Sequence, residues 1–365
     1  MKVGILGGGQ LARMLALAAQ PLGIETLCLS ATTDTSAKPV SPEIIRDDNS
    51  PTQLQDFTDQ VDVITYENEN IPLEIATKIA AHKNIYPGAT ALKVAQDRLL
   101  EKKCFTQLEI NTPQYSAIES QQDLNDAVAE IGLPAVLKSR RFGYDGKGQF
   151  IIRTPSDIDQ AWQTLGNQAL ILEQFIPFQT EVSIIATCDQ QQQIKYYPLI
   201  ENNHQHGILR LSRAPYENLQ LQQQAQLYCQ RLCTHLNYVG TLAIEFFLID
   251  GQLLANEIAP RVHNSGHWTI EGADTSQFEN HLRAICDLPL GSTASRGNSA
   301  MFNCLGELPP INDILAIPGA HFHDYHKQAR PQRKLGHITL NTDDNTLFNS
   351  SFEQLCPLLG IDSIA

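Results

Sequence analysis

Residues 138–149 contain three glycines within six positions and are flanked by apolar runs at 133–137 and 150–152. The short apolar runs predict a β-strand on each side of the glycines. Walker loops and dinucleotide fingerprints need a helix directly after their glycines, with its N-terminus facing phosphate, so the following strand excludes both. The loop instead predicts a hinged lid whose amides close over phosphates with Lys138 and Lys147. The alternative for this loop alone is a solvated hairpin.

Two carboxylates predict a metal site. Glu245 and Glu257 stand twelve residues apart in apolar segments that the turn Asp250-Gly251 joins. A β-hairpin centred on that turn would place both carboxylates on one surface, as a magnesium–polyphosphate site requires. Burying an ionised glutamate is costly unless it is paired or bound to metal, which favours a functional role for Glu245.

Three stretches, at 143–149, 256–269 and 330–337, together resemble the N5-carboxyaminoimidazole ribonucleotide synthetases, which are ATP-grasp enzymes of purine biosynthesis. The resemblance spans nearly the whole chain. It implies an α/β and α+β architecture in three parts. These are a Rossmann-like domain at 1–97, an ATP-grasp domain at 98–292 with a lid subdomain near 113–180, and a small β-rich domain at 293–365.

The resemblance also implies an activity. An ATP-dependent carbon–nitrogen ligase of this family carboxylates 5-aminoimidazole ribonucleotide with bicarbonate, through carboxyphosphate, and releases ADP and phosphate. The implied cofactors are ATP and two magnesium ions, with the metal on Glu245 and Glu257. The implied partners are small-molecule substrates and a second copy of the chain in a homodimer.

Site residues follow from the resemblance position by position. The implied ATP-binding residues are Arg98, Lys138, Gly143, Tyr144, Asp145, Gly146, Lys147, Gly148, Gln149, Glu173, Gln174, Phe175, Ile176, Glu181, His204, Asn256 and Glu257. The implied substrate-binding residues are Gln10, Leu11, Glu67, Tyr144, Asp145, Asn264, Lys327, Arg333 and Lys334. Arg261 and His263 would position bicarbonate or the acyl phosphate, and Tyr144 and Asp145 would reach the aminoimidazole from the lid, so these four form the catalytic set.

The N-terminal segment predicts a βα unit, with a strand at 2–6, a glycine turn and a helix at 11–19. Its small residues fit a dinucleotide fingerprint, but the next strand, at 24–29, does not end in the acidic residue that binds the NAD ribose. An NAD-dependent oxidoreductase therefore remains an alternative from a different class. The strand at 62–66 delivers Glu67 to the carboxyl edge of the sheet, where open α/β sheets bind ligands. Without the resemblance, Glu67 is equally well explained as part of a solvated acidic loop.

Further elements complete the prediction. Helices are expected at 91–108, which carries Arg98, at 124–131 and at 219–236, and C-terminal strands at 300–305, 319–326 and 336–342. Five basic residues within eleven positions suit a ribose 5-phosphate, although an ordinary charged turn would look the same. They are Lys327, Arg330, Arg333, Lys334 and His337.

Composition excludes several classes. A net charge of −14 argues against non-specific binding of nucleic acid. No apolar run reaches 18 residues and the first six residues form a strand pattern, so we expect no membrane span and a cytoplasmic protein. Eight scattered cysteines without a Cys-x-x-Cys pair predict buried, reduced thiols. A formate-dependent glycinamide ribonucleotide transformylase and a non-catalytic nucleotide sensor remain alternatives, as does a metal at the histidine cluster 321–326.

Overall fold

The computed structural model describes residues 1–33, 35–47, 50, 52–143 and 146–361. Its first part contains β1 (Lys2–Leu6), α1 (Gln10–Ala19), β2 (Glu25–Ser30), β3 (Glu43–Ile45), α2 (Gln53–Asp59), β4 (Val63–Tyr66) and α3 (Leu73–Ala80). The strands form a parallel sheet in the order β3-β2-β1-β4. Gly7, with φ at 112°, lets the chain turn into α1, where a Cβ would overlap the side chain of Glu67. The predicted βα unit is confirmed.

The single helix predicted at 91–108 is wrong. Two helices, α4 (Ala89–Ala95) and α5 (Arg98–Gln107), are separated at Gln96 and Asp97. The Asp97 side chain accepts hydrogen bonds from Leu99 N and Leu100 N, so it caps a new helix. Asp97 also pairs with Arg140 at 2.7 Å, a long-range contact that local periodicity does not reveal. The break places Arg98 at the first position of α5.

The lid subdomain is a second, antiparallel sheet. It contains β5 (Tyr115–Ile118), α6 (Gln121–Ile131), β6 (Ala135–Ser139), β7 (Gln149–Ile152), α7 (Ile158–Leu165) and β8 (Leu170–Gln174). The strand order is β5-β8-β6-β7. Because β6 and β7 pair directly, with Lys138 opposite Gln149, the glycine loop connects two neighbouring strands as predicted. Tyr144 and Asp145, which belong to this stretch of the sequence, lie outside the described residues.

The third sheet holds the remaining strands. Its elements are β9 (Thr180–Cys188), β10 (Ile194–Tyr196), β11 (Ile200–Gln205), β12 (Ile208–Ala214), α8 (Leu219–Leu236), β13 (Gly240–Ile249), β14 (Gln252–Ala259), α9 (Thr269–Gly272), α10 (Gln277–Ile285), β15 (Asn298–Leu305), α11 (Ile311–Leu315), β16 (Ala320–Asp324), β17 (Lys334–Thr342) and α12 (Asn345–Leu358). The order is β14-β13-β9-β11-β12-β15-β17-β16, with β10 beside β9. The C-terminal strands therefore extend the central sheet through the β12–β15 pair.

Apolar packing accounts for this arrangement. Helix α8 buries Leu221, Ala225 and Leu232 in one core with β9 and β13, while a separate core under β15 and β17 contains Phe302 and Ile338. All eight cysteines are buried and unpaired by disulfides, as the sequence predicts. Among the helices that the structure describes, none combines the length and apolarity that crossing a bilayer requires.

Candidate active site

A cavity of about 570 Å³ is lined by the carboxyl edge of the first sheet, the lid sheet and the central sheet. That volume is typical of a small-molecule site. The predicted site residues that line it are Gln10, Leu11, Glu67, Arg98, Lys138, Gly143, Gly146, Lys147, Gln149, Glu173, Gln174, Phe175, Ile176, Glu181, His204, Glu245, Asn256, Glu257, Arg261, His263, Asn264 and Lys334. Gly148, Lys327 and Arg333 do not line it. Residues predicted from distant parts of the chain thus share one cavity.

Glu245 and Glu257 face each other across the cavity floor. They are direct partners in the β13–β14 hairpin, and the strand register shifts immediately after Glu245. Burial, reinforced by the charge of Glu257, raises the pKa of Glu245. Asn256 Oδ1 is buried beside them and has no hydrogen-bond partner among the described residues. Two apposed carboxylates and an oxygen acceptor fit magnesium, which needs only one or two carboxylates when phosphates supply other ligands.

Three cations surround the neighbouring carboxylates. Arg98 lies 3.3 Å from Glu257, while Lys138 and the buried Lys102 lie 2.8 Å and 3.7 Å from Glu173. Burial alone would raise the pKa of Glu173, but the charges of Lys102 and Lys138 hold it at about 2. Glu173 is therefore ionised, and the cluster is built from mutually compensating charges.

The side chains of Glu101 and Lys102 form hydrogen bonds with the backbone on both sides of Glu257. Lys102 Nζ donates to the carbonyls of Ala255 at 3.2 Å and Asn256 at 2.6 Å. Glu101 Oε1 accepts from Ile258 N at 2.5 Å. Both side chains are buried, so they set the position of β14 rather than meet solvent. Sequence reasoning missed them, although Arg98, Glu101 and Lys102 share one helix face by their spacing.

Arg261 forms a bidentate pair with Glu69, a residue that sequence reasoning also missed. Arg261 Nε and Nη2 both donate to the Glu69 carboxylate, the second at 2.9 Å. Burial alone would raise the pKa of Glu69, but the charge and hydrogen bonds of Arg261 lower it below its usual value. The pair ties the end of β14 to the edge of the first sheet. No local signal reveals it, because 192 residues separate the partners.

Glu67 is bonded to the start of α1. Its two carboxylate oxygens accept from Gly9 N at 2.6 Å and Ala12 N at 3.2 Å. Such amides are a natural anion site. Burial raises the Glu67 pKa, and these bonds oppose that rise. Lys327 forms a hydrogen bond with Gln10, the first residue of α1. This contact places one member of the predicted phosphate cluster at the carboxyl edge of the first sheet.

Two histidines, His204 and His263, lie close to cavity carboxylates. His204 Nδ1 forms a hydrogen bond with the Glu181 carboxylate. Burial alone would lower the pKa of His204, but this hydrogen bond and the charges of nearby carboxylates raise it above its usual value. His263 Nε2 lies 3.3 Å from Glu245 Oε1. Burial, and then the charge of Arg261, lowers the His263 pKa well below its usual value, so the ring is neutral.

Known proteins match nearly the whole length of this chain. Family models of the ribonucleotide synthetase preATP-grasp domain, the ATP-grasp domain and the phosphoribosylaminoimidazole carboxylase C-terminal domain match residues 1–96, 103–278 and 299–350. The N5-carboxyaminoimidazole ribonucleotide synthase of Pseudomonas aeruginosa is 46% identical over 359 residues, covering 98% of this chain and 99% of that protein. The chain belongs to the N5-carboxyaminoimidazole ribonucleotide synthetase family.

Solved structures agree with that membership. The synthetase from Thermus thermophilus superimposes with a TM-score of 0.94 at 46% identity, covering 99% of both chains. The Aspergillus clavatus synthase, solved in complex with ADP and 5-aminoimidazole ribonucleotide, has a TM-score of 0.88 at 29% identity, covering 98% of this chain and 97% of that one. The ATP-grasp architecture predicted from the resemblance is confirmed.

The structure contradicts the prediction for one member of the basic cluster. His337 is fully buried in β17 and its Nδ1 hydrogen-bonds the Tyr325 hydroxyl at 2.7 Å. Burial lowers its pKa well below the usual value, so it adds no charge to the cluster. Strand alternation turns this ring inward, and including it in a phosphate site was wrong. Lys334 lines the cavity, while Arg333 donates to Gln328 O at 3.0 Å.

Proposed function

We propose that this protein is an ATP-grasp ligase that converts 5-aminoimidazole ribonucleotide, ATP and bicarbonate into N5-carboxyaminoimidazole ribonucleotide, ADP and phosphate in purine biosynthesis. One observation carries the proposal. A single cavity joins the glycine lid, the Glu245–Glu257 pair and the helix N-terminus beside Glu67. It can therefore hold a nucleotide and a second anionic substrate together.

ATP would occupy the space between the lid and the central sheet. Lys138 and Lys147 would contact its phosphates while the amides of Gly143 and Gly146 close over them. The end of β8 and the residues after it, from Glu173 to Ile176, would border the adenine, with Glu181 and His204 near the ribose. When bound by Glu245 and Glu257, magnesium would neutralise negative charge on the phosphates.

Arg261 and His263 would hold bicarbonate at the end of the phosphate site. A bicarbonate oxygen attacks the γ-phosphorus, the bond from that phosphorus to ADP breaks, and carboxyphosphate forms. The exocyclic amine then takes the carboxyl group, or CO₂ released from carboxyphosphate, while phosphate leaves. Both residues line the same cavity as Glu245 and Glu257, and His263 lies 3.3 Å from Glu245, which supports placing this chemistry beside the carboxylate pair.

The ribonucleotide would lie toward the first sheet. Glu67 would accept hydrogen bonds from the aminoimidazole or ribose, with Tyr144 and Asp145 from the lid on the other side. Lys327, Arg333 and Lys334 would bind the 5′-phosphate, with Lys327 already against Gln10. The proposal also includes a homodimer in the cytoplasm, as the family implies. Sedimentation of the purified protein tests the assembly.

An ATPase assay with substrate combinations tests the function. ADP release should require magnesium and rise strongly with aminoimidazole ribonucleotide and bicarbonate. Glycinamide ribonucleotide with formate should not stimulate it. Stimulation by that second pair instead would show a transformylase and overturn the proposal. Tight nicotinamide binding without nucleotide hydrolysis would favour the oxidoreductase alternative.

A further inference from the structure

A line of buried polar side chains runs through the central sheet to His263. Ser212 Oγ lies 2.8 Å from Asn202 Oδ1, and Asn202 Nδ2 lies 2.8 Å from Ser183 Oγ. Ser183 Oγ lies 2.9 Å from Ser265 Oγ, which is 2.9 Å from His263 Nδ1. All five residues are buried. Hydroxyl and amide groups in such a core are costly unless they bond one another, so the line forms one connected network.

The donors in this network all point the same way. The amide nitrogen of Asn202 can only donate, so Ser183 Oγ accepts from it and has its own hydrogen for Ser265. Ser265 Oγ then accepts from Ser183 and donates to His263 Nδ1. Ser212 completes the other end, because the carbonyl oxygen of Asn202 can only accept its hydrogen.

A backbone group independently leads to the same assignment. The amide nitrogen of Ser265 lies 3.3 Å from His263 Nδ1 and can only donate. Nδ1 therefore carries a lone pair, which leaves the ring hydrogen on Nε2. That nitrogen faces Glu245 Oε1 and the cavity.

We propose that Ser265, Ser183 and Asn202 are positioning residues that hold His263 as the Nε2–H tautomer. His263 then offers a hydrogen-bond donor to the reacting carboxyl or phosphoryl oxygen, and it cannot accept a proton at the nitrogen that faces the cavity. The donor's role in the reaction rests on the proposed carboxylation. The tautomer itself does not, since it follows from the network alone.

The backbone of His263 is held separately. Its amide nitrogen donates to Gln277 Oε1 at 2.9 Å, and Gln277 Nε2 donates to the His263 carbonyl at 2.6 Å. Losing the Ser265 hydroxyl should therefore leave the loop in place and remove one of the two donors to His263 Nδ1, with Ser265 N as the donor that stays. This separation makes the serine variants interpretable.

Nitrogen-15 NMR of the full-length protein with labelled histidine tests the tautomer directly. The His263 signals are assigned by their loss in His263→Gln. We expect ring shifts typical of a neutral imidazole with hydrogen on Nε2 and a bare Nδ1. A hydrogen on Nδ1, or on both nitrogens, would overturn the proposal whatever the activity of the enzyme.

Two variants test the positioning role. Ser265→Ala removes the hydroxyl donor, and Asn202→Asp replaces the amide donor by an acceptor, which reverses the hydrogen bonds toward Nδ1. Each should shift the His263 signals and lower kcat about tenfold, the equivalent of one lost hydrogen bond, with little change in the KM for ATP. Ser351→Ala is the matched control, because this buried serine donates to Pro318 O in another core and should leave kcat unchanged.

The outcomes separate the two proposals. An unaltered kcat despite a shifted tautomer would overturn the positioning role while leaving the carboxylase function intact. Absence of carboxylation in the wild type would overturn the proposed function, and the NMR result would still decide the tautomer. If Asn202→Asp does not fold, Ser183→Ala interrupts the same network without adding a charge.

Discussion

The cavity has two ends that hold their charges differently. At the nucleotide end, where we propose that ATP binds, the side chains of Lys102 and Glu173 are 0% and 2% exposed. Lys102 also donates to the carbonyl of Asn256, and Glu173 also pairs with Lys138. Near the end where we propose that the ribonucleotide binds, Lys327 and Arg333 lie outside the cavity lining, half-buried on loops. Buried charges must be compensated within the fold, so they determine its shape. Partly exposed charges such as those of Lys327 and Arg333 cost little free energy of folding, so their loss should mainly weaken ligand binding.

The largest effect is expected at the nucleotide end, from Glu257→Gln. The substitution keeps size and hydrogen bonding but removes the charge that would hold magnesium. Several kcal/mol of charge stabilisation should be lost, so turnover should fall about a thousandfold or more while the fold survives. Steady-state kinetics with circular dichroism measures both. Glu109→Gln, at an 85% exposed side chain, is the control. Near-normal turnover in folded Glu257→Gln would rule out the metal role.

Lys102→Met should act on stability. It leaves Glu173 buried beside Lys138 and removes the Lys102 hydrogen bonds to the carbonyls of Ala255 and Asn256. We expect the free energy of unfolding to fall by about 3 kcal/mol, the low end for breaking a buried ion pair, because Lys138 stays. Urea denaturation measures it. Lys103→Met, at the exposed neighbour, should change it by less than about 0.5 kcal/mol. Equal effects at both positions would contradict the comparison.

Arg333→Ala should act mainly on ligand binding, although it also removes the hydrogen bond to Gln328 O. Its proposed partner, the 5′-phosphate, keeps its charge throughout the reaction, so the contact stabilises ground and transition states alike. The KM for the ribonucleotide should rise roughly ten- to a hundredfold, with the KM for ATP nearly unchanged. With the unphosphorylated riboside, variant and wild type should perform equally poorly. A full defect with the riboside would return this residue to a structural role in its loop.

The smallest effect concerns a buried group away from both ends. Burial lowers the pKa of His281 to about 3, and its ring bonds Thr65 Oγ1 and Thr241 N. Below pH 6.5 the unfolded chain takes up a proton that the folded one does not. Stability is therefore complete above pH 6.5 and is lost as pH falls toward 3, by about 1.4 kcal/mol per unit.

Urea titrations between pH 7 and pH 5 measure that slope. His281→Gln should reduce it by one proton, whereas His82→Gln, at an exposed position, should leave it unchanged. The other buried histidines keep part of the slope in both variants. An unchanged slope in His281→Gln would show that the ring is already charged in the folded protein.

Much of the nucleotide end is predictable from the sequence, because local patterns specify it. Apolar runs around the glycines predict β6 and β7, and the turn Asp250-Gly251 with the spacing of two glutamates predicts that Glu245 and Glu257 face each other. Hairpin register depends on the turn and on strand alternation, which neighbouring residues determine. Positions of individual ligands came from the resemblance rather than from any pattern.

Only the tertiary structure decided the contacts between distant segments. Three features depend on which surfaces meet after the sheets pack. They are the Glu69–Arg261 pair, the hydrogen bonds of Glu101 and Lys102 to the backbone of β14, and the burial of the His337 ring. The same holds for the break before Arg98, where Arg140 holds the capping residue Asp97. The periodicity of apolar residues indicates which face of a segment is buried, but it does not indicate which other segment packs against that face. The sequence by itself therefore determined the strands around the glycine loop and the carboxylate pair, whereas long-range packing decided how charges compensate one another around them.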